Sequence, residues 1–198
     1  PIPERPERID MLMEGVARLG GPVVAPPEIF GDTIALVHDR RYIQFLSTLW
    51  ERWKRLPDAA ETPSANVFAL GRPSLPPTHY PDSVVGQCGW HLGDGSAPIT
   101  SKTWAAARAS AATAAHGARL VLQGERIAYA LCRPPGHHAA ADVAAGFCYL
   151  NNTAIAAALL TEAEKQWLND YHRRVRETVG PNVDEATRTW LEQATRAI

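Results

Sequence analysis

The sequence predicts an α/β fold with a mainly parallel sheet, followed by a C-terminal helical hairpin. An apolar run at residues 127–132 is typical of a buried strand, and the Ala-rich stretch at residues 103–122 is typical of a helix packed against it. Two adjacent histidines, His137 and His138, follow the strand in a Pro-Pro-Gly turn. Because α/β sheets build their sites in loops at the carboxyl ends of strands, this order also predicts where a site lies.

Two amphipathic helices are predicted before this unit, at residues 6–19 and 42–56. In both stretches apolar residues recur at spacings of three and four, which places them on one side of a helix. Residues 57–82 are rich in proline and lack such periodicity, so we expect a long irregular segment there. A further helix is predicted to begin near Asn151 and Asn152, after the site loop.

The chain divides into a first region, residues 1–160, and a helical tail, residues 161–198. In the tail, residues 162–179 carry apolar side chains at helical spacing, and a Gly-Pro pair ends that stretch. Asp184 can cap a second helix. The two helices are therefore expected to form the hairpin.

Composition narrows the classes of protein. The formal net charge is −1, from 20 basic and 21 acidic residues, which gives no electrostatic basis for binding nucleic acid or an anionic membrane. No apolar stretch is long enough to span a bilayer. The three cysteines include no Cys-x-x-Cys pair, which favours a reducing, cytoplasmic setting. Because the chain begins at Pro1 rather than Met, we expect further residues upstream, and homo-oligomerisation stays open.

Two motifs carry a resemblance to a known family. Residues 133–139 read Arg-Pro-Pro-Gly-His-His-Ala, and residues 146–152 read Gly-Phe-Cys-Tyr-Leu-Asn-Asn. Together they resemble the zinc-dependent deacetylases, which comprise the histone deacetylases and the acetylpolyamine amidohydrolases, and they are more similar to the acetylpolyamine branch. The likeness covers about residues 1–160 and implies an α/β domain of the arginase/deacetylase-like type.

The resemblance implies a reaction and a role for each of four residues. Enzymes of this kind hydrolyse the amide of an acetylated amine, either an acetylpolyamine or an acetyl-lysine, with a zinc-activated water. His138 would be the general acid/base, with His137 as its electrostatic neighbour. Gly146 and Phe147 would line the substrate tunnel. Outside such a motif, two loop histidines would be read as solvated polar residues.

The zinc ligands of the family have no counterpart in this sequence. The resemblance implies two aspartates and a histidine, two of them in an Asp-x-His motif on the next strand, and that motif is missing there. Asp170 and His172 form an Asp-x-His in the tail, but positions i and i+2 of a helix point about 200° apart. We therefore expect Zn²⁺ as the family's cofactor, no metal ligand in this chain, and an incomplete deacetylase-type domain.

Three hypotheses about function stay open. The chain is part of a zinc deacetylase that is inactive alone, or a non-catalytic remnant or interaction module, or a fusion with a peptidase-type tail. The third arises because residues 159–198 resemble the C-terminal segment of aminopeptidase P-type metallopeptidases. An unrelated helical hairpin explains the tail equally well.

Four further residues receive structural rather than catalytic roles. His91 could lie at the rim of the substrate site, but a surface loop is predicted for it. Cys148 is predicted to be a buried, inert thiol beside the site. Trp50 and Trp53, on the apolar side of the second predicted helix, are expected to belong to the core.

Overall fold

A computed structural model describes residues 7–68, 79–160 and 162–197 of the chain. Residues 69–78, in the predicted irregular segment, lie outside the described residues, and the rest of that segment forms no helix or strand. Within the described residues the chain forms eight α-helices and one short 3-10 helix. They are α1 (Arg8–Leu19), α2 (Gly31–Ile34), α3 (Arg40–Trp53), α4 (Val84–His91), α5 (Thr103–Leu122), α6 (Asn152–Ala157), α7 (Glu162–Val179), the 3-10 helix (Gly180–Asn182) and α8 (Glu185–Ala194).

The helices predicted from apolar periodicity are confirmed, and two further helices, α2 and α4, were missed. α1, α3, α5, α7 and α8 cover most of the predicted stretches, and α6 begins at Asn152 as predicted. α2 has only four residues, too few to show a periodicity, and the two glycines of α4 weaken any helical pattern in its sequence. The first turn of α4 is stabilised by the Ser83 hydroxyl, which accepts a hydrogen bond from the Gly86 N–H at 3.1 Å.

The core joins the apolar face of α3 to the small-residue face of α5. Tyr42 and Phe45 of α3 are fully buried, and Trp53 is buried as predicted, whereas Trp50 is only half-buried. Because α5 presents alanines on its inner face, α6 packs closely against it, with Ile155 fully buried. The Tyr42 hydroxyl donates to the carbonyl oxygen of Tyr149 at 2.6 Å, which ties α3 to the segment that carries the second motif.

The prediction of a central strand at residues 127–132 is wrong for the described part of the chain. Ile127 is 84% exposed and Tyr129 is 70% exposed. A central strand needs a hydrogen-bonded neighbouring strand on each side. The apolar pattern of residues 127–132 is local, so it cannot show whether such neighbours are present. The parallel sheet is therefore not confirmed. The β-structure of the described residues comprises two isolated bridges, a parallel one between Leu92 and Ala144 and an antiparallel one between Ala145 and Cys148.

The second half of that prediction, packing against α5, is confirmed. A Cβ built on Gly117 of α5 would lie 3.5 Å from the Cβ of Ala130 and 3.7 Å from that of Ala128. Further along, the Cys132 thiol donates to the carbonyl oxygen of Ser110 at 3.4 Å. The segment thus lies along α5, with its small residues towards the helix.

The structure contains both helices predicted in the C-terminal tail, α7 and α8. Asp184 caps α8 by accepting a hydrogen bond from the Thr187 N–H at 2.8 Å. Across the hairpin, the Arg176 guanidinium of α7 donates to the Thr195 hydroxyl at 2.9 Å, and Leu191 of α8 is buried. Within the described part of the chain, no helix is long and apolar enough to cross a membrane.

Candidate active site

Two glycines shape the loop that carries His137 and His138. Gly136 has a φ of +100°, and a Cβ there would lie 2.4 Å from the carbonyl oxygen of Leu150. Gly146 has a φ of +53°, and a Cβ there would lie 2.6 Å from Cδ2 of His138. Because a side chain at either position would be strained and would clash, glycine is needed at both. The loop can therefore fold back until the imidazole of His138 lies on Gly146.

The structure brings the sequence-predicted site residues into one region. The ring centroids of His137 and His138 are 4.3 Å apart, and both side chains are exposed. Phe147, next to Gly146, has a φ of +64°, which an aromatic residue rarely adopts and which costs about 1–3 kcal/mol. Since Phe147 is also exposed, these residues form an open surface within the described part of the chain, and their role as a tunnel stays a prediction.

A buried asparagine holds the Pro-Pro-Gly turn in place through hydrogen bonds. Asn152 donates through Nδ2 to the carbonyl oxygens of Pro134 at 2.9 Å and Pro135 at 3.1 Å, and to the Ser110 hydroxyl at 2.9 Å. That hydroxyl in turn donates to the Pro134 carbonyl oxygen at 2.7 Å. The last residue of the second motif therefore fixes the turn of the first motif onto α5.

A buried histidine distant in sequence anchors the other side of the loop. His38 accepts a hydrogen bond at Nε2 from the Asn151 N–H at 2.9 Å, so its ring proton lies on Nδ1, which donates to the Ala141 carbonyl oxygen at 3.1 Å. Burial lowers the pKa of His38, although the backbone hydrogen bonds oppose the shift. The neutral imidazole thus joins both ends of the loop that follows the histidine pair.

His91 corrects an expectation from the sequence, because it is fully buried rather than in a surface loop. Its Nδ1 donates to the carbonyl oxygen of Asp142 at 2.7 Å, and its Nε2 accepts from the Tyr80 hydroxyl at 2.9 Å. Burial lowers the pKa of His91. The physical reason for the error is that Asp142, which accepts its hydrogen bond, lies 51 residues away in sequence. Cys148, by contrast, is fully buried as predicted.

Asp94 is a site residue that the sequence reasoning missed. Its Oδ2 accepts a hydrogen bond from the Gly146 N–H at 3.0 Å, and its Oδ1 accepts from the N–H and hydroxyl of Ser96 at 2.9 and 2.6 Å. Burial alone would raise the pKa of Asp94, but these hydrogen bonds and the nearby His138 hold it below its usual value. A carboxylate therefore lies beside the histidine pair. The Asp-x-Ser spacing, typical of a turn, was the only local signal of it.

The described residues do not fit a complete metal site. They include no group of three or more His, Cys, Asp or Glu side chains placed to hold one ion, whereas a catalytic zinc ordinarily has three protein ligands. Asp170 and His172 both lie on α7, and Asp170 interacts with Gln166 and Arg173 along the same helix. The Asp-x-His of the tail is therefore part of a helix surface, as its spacing predicted.

The two motifs lie together in one loop that buried hydrogen bonds hold in place. Residues 2–170 match the histone deacetylase domain, and the chain belongs to that family. The predicted recognition of this family is confirmed.

The similar proteins indicate which branch of the deacetylase family this chain resembles. The chain is 44% identical over 158 residues to an acetylpolyamine amidohydrolase of Burkholderia pseudomallei (strain 1710b), a match that covers 79% of this chain and 45% of the relative. It is 38% identical over 160 residues to that of Mycoplana ramosa, covering 80% of this chain and 46% of the relative. The chain therefore spans less than half the length of these relatives.

A solved structure supports the deacetylase fold. The crystal structure of acetylpolyamine aminohydrolase from Burkholderia pseudomallei superposes with a TM-score of 0.69 at 44% identity, covering 78% of this chain and 44% of that one. The tail has a second match, since residues 145–198 match the C-terminal region of peptidase M24. The two family matches overlap over residues 145–170.

Proposed function

We propose that this chain is the histidine-bearing part of a deacetylase that hydrolyses the amide of a small acetylated amine. The observation that carries the proposal is the packing of His138 on Gly146, in a loop braced by buried hydrogen bonds. Relatives that match this region are named acetylpolyamine amidohydrolases. An acetylpolyamine is therefore the preferred substrate, and an acetyl-lysine is the second choice.

The two histidines would handle protons in this reaction. Water adds to the amide carbonyl carbon, the C–N bond breaks, and the amine leaves with a proton, giving acetate. His138 is the proposed general acid/base, because it is exposed where an amide can approach and an imidazole exchanges protons near neutral pH. His137, with its ring centroid 4.3 Å away, is the proposed electrostatic neighbour of His138.

The neighbouring residues would select the substrate. Gly146 and Phe147 are the proposed wall along which the acylated chain lies. The Asp94 carboxylate, hydrogen-bonded to the Gly146 N–H, would attract a remaining ammonium group of an acetylpolyamine. The carboxylate would not strengthen the binding of a neutral acetylated amine. Comparing the binding of charged and neutral amines therefore tests the substrate class.

Zinc is the cofactor that the family implies, but the described residues do not supply its ligands. We therefore propose that the chain by itself binds the acetylated amine without hydrolysing it, and no step is assigned to a metal. The three free cysteines, Cys88, Cys132 and Cys148, support a reducing, cytoplasmic location.

Nuclear magnetic resonance of the full chain tests the binding. Titration with N-acetylputrescine should shift the imidazole signals of His137 and His138 and the amide signals of Gly146 and Phe147. His79, whose side chain is 75% exposed, serves as the internal control and should not move. Uniform shifts at all histidines, or none at His138, would contradict the proposal.

The match of residues 145–198 to a peptidase region favours a second candidate, a fusion of two independent units. Calorimetry of the full chain distinguishes it. A fusion predicts two unfolding transitions, with Leu46→Ala lowering only the first unit's midpoint and Leu191→Ala only the tail's, since each leucine is buried in its own region. A single transition shifted by both variants would exclude the fusion.

A further inference from the structure

His38 holds the loop that carries the histidine pair at two points. Its Nε2 accepts a hydrogen bond from the Asn151 N–H at 2.9 Å, and its Nδ1 donates to the Ala141 carbonyl oxygen at 3.1 Å. The side chain of Asn151 extends this contact, because its Nδ2 donates to the Ala139 carbonyl oxygen at 3.1 Å and its Oδ1 accepts from the Ala154 N–H at 3.0 Å. One buried imidazole therefore positions the residue that follows the histidine pair and the first turn of α6.

The two buried histidines, His38 and His91, differ in how they can accommodate a proton. A protonated imidazole donates at both ring nitrogens. The partner of the His91 Nε2 is the Tyr80 hydroxyl, which can rotate and accept instead of donating. The partner of the His38 Nε2 is the backbone N–H of Asn151, which can only donate. A proton on His38 therefore places two donors against each other and breaks this hydrogen bond, whereas His91 can keep a partner at both nitrogens.

The surroundings of His38 favour its neutral form. Burial lowers the pKa of His38 and outweighs the hydrogen bonds to the backbone of Ala141 and Ala140, which raise it. The titratable side chain packed on its ring is Tyr42 of α3, with the ring centroids 5.5 Å apart. Burial raises the pKa of Tyr42, so this phenol is neutral as well.

Two carboxylates flank His38 in the loop and in the chain. Asp39 follows it in sequence, is exposed, and accepts a hydrogen bond at Oδ1 from the Arg41 N–H at 2.6 Å. Asp142 follows the residue that accepts from Nδ1, and it is half-buried. Because the pKa of His38 is lowered despite these two carboxylates, a proton on the buried ring is disfavoured.

We propose that protonation of His38 opens residues 139–151, so that mild acid releases the loop that carries the histidine pair while the rest of the chain stays folded. The proton breaks the hydrogen bond that Nε2 accepts. The hydrogen bonds of Asn152 to the Pro-Pro-Gly turn involve no titratable group, so that turn stays on α5. The opening is therefore confined to the part of the loop that follows the histidine pair, where it separates His138 from Gly146.

The pH at which the loop opens depends on the two pKa values of His38. In the open loop the imidazole is in water and has its ordinary pKa of about 6.5, whereas burial lowers the pKa in the closed loop. Below pH 6.5 the open form therefore binds a proton that the closed form does not. The equilibrium constant for opening then rises about tenfold for each unit by which the pH falls. Above pH 6.5 the loop stays closed.

Amide hydrogen exchange of the full chain, followed by nuclear magnetic resonance from pH 7.5 to 5.5, tests the proposal. The protection factor of the Asn151 amide should fall about tenfold between pH 6.5 and 5.5. The amide of Leu46, which is buried in α3, should stay better protected because it exchanges only when the chain unfolds. Equal protection of the two amides at pH 5.5, or protection of Asn151 that does not change with pH, would overturn the proposal.

Two matched variants assign the effect to one histidine. His38→Gln supplies an amide that can accept from the Asn151 N–H and does not titrate, so the pH dependence of Asn151 protection should disappear. His91→Gln removes the other buried imidazole and should leave that dependence in place. The reverse result would overturn the proposal.

The imidazole signals of the unaltered chain decide the matter if His38→Gln does not fold. The titration midpoint of His38 should lie below pH 6.5, and the fall in Asn151 protection should level off at that midpoint. A midpoint at or above pH 6.5 would overturn the proposal. None of these readouts needs a ligand, so the proposed function is tested separately.

Discussion

The loop of residues 133–152 and the segment of residues 127–132 are neighbours in sequence but differ in how they are stabilised. The loop is braced within the chain, by Asn152 below the turn and by His38 behind it. The segment packs one face on α5 and leaves the other exposed, with Ile127 84% accessible. A loop can thus be held in place by its own motif and nearby helices, whereas a sheet depends on strands from elsewhere in the protein.

The largest effect on the loop is expected from Gly136→Ala. The added Cβ would meet the Leu150 carbonyl oxygen at 2.4 Å, and φ of +100° is unfavourable for alanine. We expect a loss of about 2–4 kcal/mol in the free energy of unfolding, measured by urea denaturation. Gly21→Ala, where nothing lies within 4 Å, is the control and should be near neutral. Equal effects of the two variants would show that the turn is not constrained as described.

Asn152→Ala should be the next most harmful change. It removes the amide that donates to Pro134, Pro135 and Ser110, so the partly buried Pro135 carbonyl oxygen loses this donor and the turn is no longer tied to α6. The expected loss is about 1–3 kcal/mol in the free energy of unfolding. Asn182→Ala, which removes an exposed hydrogen bond to Thr178, should cost less than half as much. If the two asparagines prove equivalent, the brace is not what distinguishes the loop from the segment.

The buried histidines should make the loop sensitive to acid. Burial lowers the pKa values of His38 and His91. Below about pH 6.5 these imidazoles therefore bind protons in the unfolded chain but stay neutral in the folded chain. Stability is therefore full above the unfolded pKa and falls as pH drops below it, with a slope approaching about 1.4 kcal/mol per pH unit for each histidine. Urea denaturation between pH 7.5 and 5 measures the slope.

Two variants test whether the buried histidines cause this pH dependence of stability. His38→Asn should lower stability at neutral pH and reduce the slope, because one buried imidazole is gone. His79→Gln, at an exposed position, should leave the slope unchanged. A slope unaffected by His38→Asn would mean that acid sensitivity arises elsewhere.

The smallest expected effect concerns Asp94. Asp94→Asn removes a partly exposed charge beside Gly146, and binding of the cationic N-acetylputrescine should weaken about two- to fivefold. Binding of an uncharged acetylated amine of similar length should not change. Asp82→Asn, whose side chain is 97% exposed, provides the matched control. An equal loss for charged and neutral ligands would assign Asp94 to the shape of the loop instead of to recognition of the amine.

Local signals account for what the sequence predicted. The helices were found because apolar periodicity and caps act within a few residues, as for α3 and α8. The histidine pair and Gly146 were found because both motifs are short and specific.

Long-range contacts account for what it did not predict. His38 reaches Asn151 across 113 residues, and Asp94 reaches Gly146 across 52, so no local pattern reveals either contact. The prediction of a strand at residues 127–132 was wrong for a related reason. Its apolar pattern is typical of a strand, but no neighbouring strand pairs with it among the described residues.

The central claim is that this chain carries the acid/base loop of a deacetylase without the ligands of its metal. Zinc content and acetate release, measured on the same preparation of the full chain with N-acetylputrescine, test it most directly. We predict substoichiometric zinc and no acetate release, with His138→Ala indistinguishable from the unaltered chain in both measurements. One tightly bound zinc per chain, together with turnover that His138→Ala abolishes, would contradict the claim.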